Sequence, residues 1–181
     1  MKVTETRLKG CFIIEPKVFF DERGLFFESF RKEKLEKAIG VPLNFVQDNQ
    51  SISKKGVLRG LHFQEREHAQ SKLIHVIKGE ILDVIVDLRE ESPTFGEHIK
   101  VELSESSKIS IFIPKGMAHG FVVRSQEAIF CYKCDDYYHQ PSERGIIYND
   151  QTLNIDWEYP KENIILSEKD KVLPTFKEWY S

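Results

Sequence analysis

At 181 residues, with 40% hydrophobic and 30% charged residues, the chain has the size and composition of one ordinary globular domain with a single core. A net charge of −3 argues against non-specific nucleic-acid binding, while leaving room for a local basic pocket around an anionic ligand. No run approaches the ~18 apolar residues of a membrane span, and no apolar stretch follows MKVTETRLKG, so neither a membrane segment nor a signal peptide is expected.

In chain order the dominant hydrophobic period is two. Strands are expected at residues 11–15, 25–30, 45–48, 57–63, 73–78, 81–87, 98–103, 109–113, 121–123 and 128–134. Turn chemistry separates them: Lys78-Gly79, the loop Ser92-Pro93-Thr94-Phe95-Gly96, the polar cluster at 104–107, and Pro114-Lys115-Gly116. One early helix is expected over Lys32–Ile39, ended by Gly40 and Pro42. Ser167 is a candidate cap for a short second helix at 167–171. Many short strands with regular turns predict an antiparallel sandwich or barrel with a few short helices. The run 81–87 is apolar on both faces, so its second face needs cover from an extra segment or another subunit. Residues 137–181 are less regular and are expected to wrap the barrel. No repeat or linker suggests a second domain, so residues 1–181 read as one.

The three cysteines, Cys11, Cys131 and Cys134, make no even disulfide framework, and a reducing cytoplasm is the expected setting. The Cys131-x-x-Cys134 pair lies in a β run whose alternate residues face opposite ways, so it reads as packing rather than as a zinc or redox site.

Three stretches carry polar residues where burial should forbid them. Arg59 and His62 interrupt the apolar run GVLRGLHFQ, His119 follows the turn in IPKGMAHGF, and Lys72 lies within SKLIHVI. Charge and imidazole in buried strands cost free energy unless they have partners or a task. All are expected to line one pocket. Arg59 and His62 have opposite strand parity, so a shared pocket requires an irregularity near Gly60.

Pro114-x-Gly116-x-x-His119 resembles the second motif of the cupin barrels, whose histidine is often a metal ligand. The matching first motif here reads His62-Phe63-Gln64, followed by Lys72, instead of His-x-His with a nearby Glu. An ammonium repels a cation, so no metal is expected. The runs Phe20–Glu28, Phe45–Asn49, GVLRGLHFQ, residues 84–88 with 92–96, IPKGMAHGF and LSEKD, in this order, resemble the dTDP-4-dehydrorhamnose 3,5-epimerases over nearly the whole chain. The resemblance implies a jelly-roll (double-stranded β-helix) homodimer without cofactor. The implied reaction inverts carbons 5 and 3 of a dTDP-linked 4-keto-6-deoxy sugar in dTDP-rhamnose biosynthesis. It places the proton acceptor at His62, its orienting carboxylate at Asp170, and the opposite-face acid at Tyr132. Substrate contacts are implied at Arg23, Glu28, Gln47, Asp48, Asn49, Arg59, Lys72, His119, Glu143 and Lys169.

The chemistry gives these residue types a purpose. Both carbons lie α to the carbonyl, so inversion needs a base on one face and an acid on the other. Lys72 is the candidate cation for the enolate oxygen. Arg59 and Arg23 suit the pyrophosphate, because a guanidinium fork binds phosphate oxygens in pairs. Gln47 and Asn49 suit a pyrimidine edge or sugar hydroxyls. Stacking on the base falls to Phe26 or Tyr138. Departures from the family occur at Gln151, in Tyr148-Asn149-Asp150-Gln151, at Glu158-Tyr159 after Trp157, and at Met117. Competing readings are a single-carbon epimerase, a non-catalytic sugar-nucleotide-binding cupin and a metal-dependent cupin.

Overall fold

A computed structural model describes residues 1–180 of the chain. In chain order the strands are β1 (Lys2–Glu5), β2 (Phe12–Glu15), β3 (Val18–Asp21), β4 (Gly24–Phe27), β5 (Gln47–Lys54), β6 (Leu58–Gln64), β7 (Lys72–Lys78), β8 (Glu80–Asp87), β9 (His98–Ser104), β10 (Ser110–Ile113), β11 (Met117–Val123), β12 (Glu127–Cys134) and β13 (Glu143–Gly145). Helix α1 (Lys32–Ile39) precedes β5, and α2 (Phe176–Trp179) closes the chain. One antiparallel sheet runs β1-β2-β10-β7-β12-β5, and the second runs β13-β6-β11-β8-β9. Non-sequential neighbours in both sheets give the jelly-roll sandwich expected above.

The alternation of each strand sorts its side chains between three apolar clusters. Ile81 and Ile85 of β8, Ile74 and Val76 of β7, and Phe121 and Val123 of β11 meet between the sheets. On the other face of β8, Leu82, Val84 and Val86 pack under Leu153, Trp157 and Phe176, with Tyr159, Leu166 and Trp179 at the edge. The two-sided strand is therefore covered by the chain's own C-terminal wrap, and this face does not call for a second subunit. Leu35 and Ile39 of α1 cover Ile14, Leu73 and Phe112 on the outside of the first sheet.

Helix α1 has the predicted bounds, and Gly40 ends it at φ +76°, a left-handed cap that glycine adopts without steric cost. The helix expected at 167–171 is instead a single 3₁₀ turn, Asp170–Val172, with the Asp170 N–H donating to Ser167 Oγ at 3.1 Å. Helix α2 went unforeseen, although Thr175 and Glu178 form a capping box there.

The irregularity near Gly60 is present. His119 pairs with His62 but Phe121 pairs with Arg59, so β6 carries one more residue than β11 between these rungs. Gly60 sits at φ +112°, and a Cβ there would lie 2.6 Å from Gly120 Cα. The Gly60–Leu61 peptide is cis. The extra residue resets parity: Leu58, Leu61 and Phe63 join the outer cluster, while Arg59 and His62 both turn inward.

Candidate active site

Between the sheets, at the mouth of the sandwich, lies a cavity of about 360 Å³. Its two walls come from different sheets. Strands β6 and β11 supply Arg59, His62 and His119, while β5, β7 and β12 supply Gln47, Asn49, Lys72 and Tyr132. The C-terminal wrap and the segment before it add Tyr138, Glu143, Lys169 and Asp170. The three anomalies of the sequence thus share one pocket.

His62 Nε2 lies 2.6 Å from Asp170 Oδ1, across 108 residues of sequence. An ionised carboxylate only accepts, so Nε2 carries the hydrogen and Nδ1 is left as the basic nitrogen. Asp170 is buried, which pushes its carboxyl up. The hydrogen bond and charge of His62, with help from Ser167 and Lys169, outweigh that push and hold it below the ordinary carboxylate range. Asp170 therefore stays ionised and fixes the imidazole's tautomer and ring plane, as carboxylates do in other His–Asp pairs.

Tyr132 projects from the opposite wall. Its ring tilts against Phe130 at 5.5 Å, and Lys72 Nζ stands 5.8 Å from its centroid. Burial pushes its phenol up to about 12, so the hydroxyl is fully protonated near neutrality. Lys72 lies half-buried beside it, and burial lowers its ammonium from the ordinary lysine value despite nearby Cys134, Asp83 and Glu143.

The polar rim is held in place by its own bonds. Arg59 Nε donates to Ser53 Oγ at 3.1 Å, which fixes the guanidinium. Glu143 accepts from Tyr138 at 2.8 Å and pairs with Lys169 at 2.5 Å. Burial works to raise Glu143, and those two partners bring it below the ordinary glutamate range. Gln47 donates to Asn49 at 3.0 Å and accepts from the Tyr138 N–H at 2.9 Å, tying the β5 wall to the loop after β12.

Four expected contacts lie outside the cavity. Asp48 is even-numbered on β5, so it faces outward and pairs with Lys133 at 2.9 Å. Arg23, Phe26 and Glu28 belong to or follow the β3–β4 hairpin, which forms its own two-stranded sheet. There Arg23 pairs with Asp21 at 2.6 Å, and Glu28 with Lys34 at 2.8 Å.

Sequence reasoning missed Asp83, Ser51, Gln64 and Gln70. Asp83 Oδ2 lies 2.7 Å from His119 Nε2, giving a second buried His–Asp pair. An ionisable side chain in the apolar strand ILDVIVD was the available signal. Ser51 Oγ is buried, without a protein partner, and lines the cavity. Cys131 and Cys134 face opposite sides of β12, and all three cysteines are free thiols. Among the described residues no three His, Cys, Asp or Glu side chains converge as metal ligands, and no helix is long and apolar enough to cross a membrane.

Comparison with known proteins places this geometry in context. A family model described as dTDP-4-dehydrorhamnose 3,5-epimerase matches residues 5–178. The Shigella flexneri enzyme of that name is 50% identical over 170 residues, covering 94% of this chain and 93% of its own. A crystal structure of dTDP-4-dehydrorhamnose 3,5-epimerase from Elizabethkingia anophelis NUHP1 superposes with a TM-score of 0.95 at 51% identity, covering 98% and 97% of the two chains. A structure of dTDP-6-deoxy-D-glucose-3,5-epimerase from Legionella pneumophila Philadelphia 1, in complex with dTDP-4-keto-L-rhamnose, gives 0.93 at 48% identity, covering 97% and 93%.

Proposed function

The chain belongs to the dTDP-4-dehydrorhamnose 3,5-epimerase family, and we infer that it converts dTDP-4-keto-6-deoxy-D-glucose to dTDP-4-keto-L-rhamnose by inverting carbons 5 and 3 without a cofactor. One observation carries the mechanism: His62, backed by Asp170, and Tyr132 line the same cavity from opposite sheets. His62 Nδ1 takes the proton α to the ketone. The electron pair moves onto the carbonyl oxygen, where the Lys72 ammonium balances the charge. Tyr132 returns a proton to the other face and becomes a phenolate. Imidazolium and phenolate then reset through water, and the same pair serves the second carbon.

Arg59 is the candidate for the pyrophosphate, and Gln47, Asn49 and Tyr138 for the nucleoside. Incubation with dTDP-4-keto-6-deoxyglucose in heavy water is expected to place deuterium at both carbons, because each inversion ends on a solvent-derived proton. Deuterium at one carbon only would identify a mono-epimerase, and binding without exchange a non-catalytic relative.

The chain is read as one domain, since the wrap crosses the second sheet and returns to His62. Three free thiols favour a reducing cytoplasm. The proposal extends to a homodimer in which the β3–β4 hairpin reaches the partner's cavity. The hairpin exposes Phe19, Phe20, Leu25 and Phe26, with Phe20 at 77% and Phe26 at 69%. Such a cluster on one small ribbon suits an interface rather than solvent. Arg23, Phe26 and Glu28 would then meet substrate across that interface. Mixing Arg23→Ala with His62→Asn subunits is expected to restore activity, because a mixed dimer regenerates one unaltered site. A monomer by sedimentation, or no restoration after subunit exchange, would refute the exchanged hairpin.

A further inference from the structure

We propose that Asp83 is a positioning residue for the epimerisation, its carboxylate serving as the fixed counter-charge that keeps Lys72 an ammonium beside the enolate oxygen. This rests on the functional reading above.

The argument starts from an unsatisfied atom. Asp83 is wholly buried; Oδ2 bonds His119 at 2.7 Å, and Oδ1 is buried without any partner. Leaving a carboxylate oxygen so exposed to low dielectric is costly, and strands this apolar rarely carry one without a task. Asp83 bonds His119 on β11, and its charge acts through space on Lys72 of β7 and on Cys11 just before β2. Burial pushes the Cys11 thiol up to about 12, so it carries no charge.

Lys72 needs an anion, because burial works against its charged form. Three groups favour that charge: Cys134, Asp83 and Glu143. Burial pushes the Cys134 thiol up to about 11, so near neutrality it is protonated. Glu143 is already engaged by Lys169 and Tyr138. Tyr132, whose ring lies beside Lys72, stays a neutral phenol. Tyr138 and Lys169 both meet Glu143 at Oε2, at the cavity rim, whereas Asp83 Oδ1 is the carboxylate oxygen that is both buried and without a hydrogen-bond partner. Burial raises its own carboxyl, while His119 and Lys72 favour the ionised form, so the three groups share one charge balance.

The sign of the consequence follows. Without Asp83 the ammonium loses its counter-charge, and Lys72 surrenders its proton at lower pH. Activity that needs the cation then fails earlier as pH rises. For Asp83→Asn the alkaline limb of kcat is expected to move down by about one to three pH units, the usual effect of one close opposite charge. Lys72→Arg in the same background should remove that limb, since a guanidinium keeps its charge throughout. An Asp83→Asn profile that falls equally at all pH values, with the limb unmoved, would reduce Asp83 to a structural residue. Should Asp83→Asn fail to fold, ¹⁵N titration of the Lys72 Nζ in the unaltered enzyme decides. An ammonium persisting above pH 8 supports the proposal, and a neutral amine at pH 7 overturns it. An unaltered enzyme with no exchange at either carbon would instead defeat the epimerase reading itself, so the two failures are separable.

Discussion

Replacing His62 with asparagine is expected to abolish solvent exchange at carbons 5 and 3 together, with kcat falling by about 10³-fold or more, the upper part of the range for removing a general base. That loss corresponds to about 4 kcal/mol of transition-state stabilisation. His62→Gln is the matched control, because its amide nitrogen falls near the place of Nε2 and can still donate to Asp170 Oδ1, which His62 Nε2 now meets at 2.6 Å. The buried carboxylate keeps a partner, and the fold is spared the cost of an orphaned charge. What disappears is the basic nitrogen. Deuterium uptake followed by proton NMR reads both positions at once. Exchange retained at one carbon would reveal a second base, and His119, on the same wall, would be the first suspect.

Tyr132→Phe tests the other face. Phenylalanine preserves the ring that packs on Phe130 and lies near Lys72, so the loss is confined to one hydroxyl. Inversion is expected to fall by about 10²- to 10³-fold. Loss of the original carbon-bound proton should fall much less, since His62 still abstracts it and can return a solvent-derived one to the same face. The variant should therefore exchange without inverting. Equal losses in both measurements would move the acid elsewhere, with Tyr138 on the cavity rim the next candidate.

How much of this was legible depends on what each strand faces. Strands with one apolar face announced themselves, and β8 and β12 fall within a residue of their expected bounds. Strand β5 did not. Its sequence QDNQSISK lacks hydrophobic alternation because its inward residues Gln47, Asn49 and Ser51 line a cavity instead of a core. Lys72, Arg59 and His62 were visible as charges in apolar runs, and Gly60 as the residue able to realign them. Asp170 was invisible to pattern reasoning, since a surface turn and a catalytic carboxylate look alike in LSEKD; only family resemblance pointed to it. Asp83 carried the same signal as Lys72 and was overlooked because the strand around it read as pure core.

Gly60 and Asp170 solve the same positioning problem from distant parts of the sequence, and the second solution has a consequence for biosynthesis. The base emerges early from the ribosome but its carboxylate arrives only 108 residues later, on a tail fastened by Phe176 N–H to Asp150 and by the Tyr180 hydroxyl to the Leu88 carbonyl. A nascent chain can complete both sheets and still lack an oriented imidazole. A chain ended before Asp170 is expected to show little epimerase activity, because nothing would then hold the tautomer and ring plane of His62.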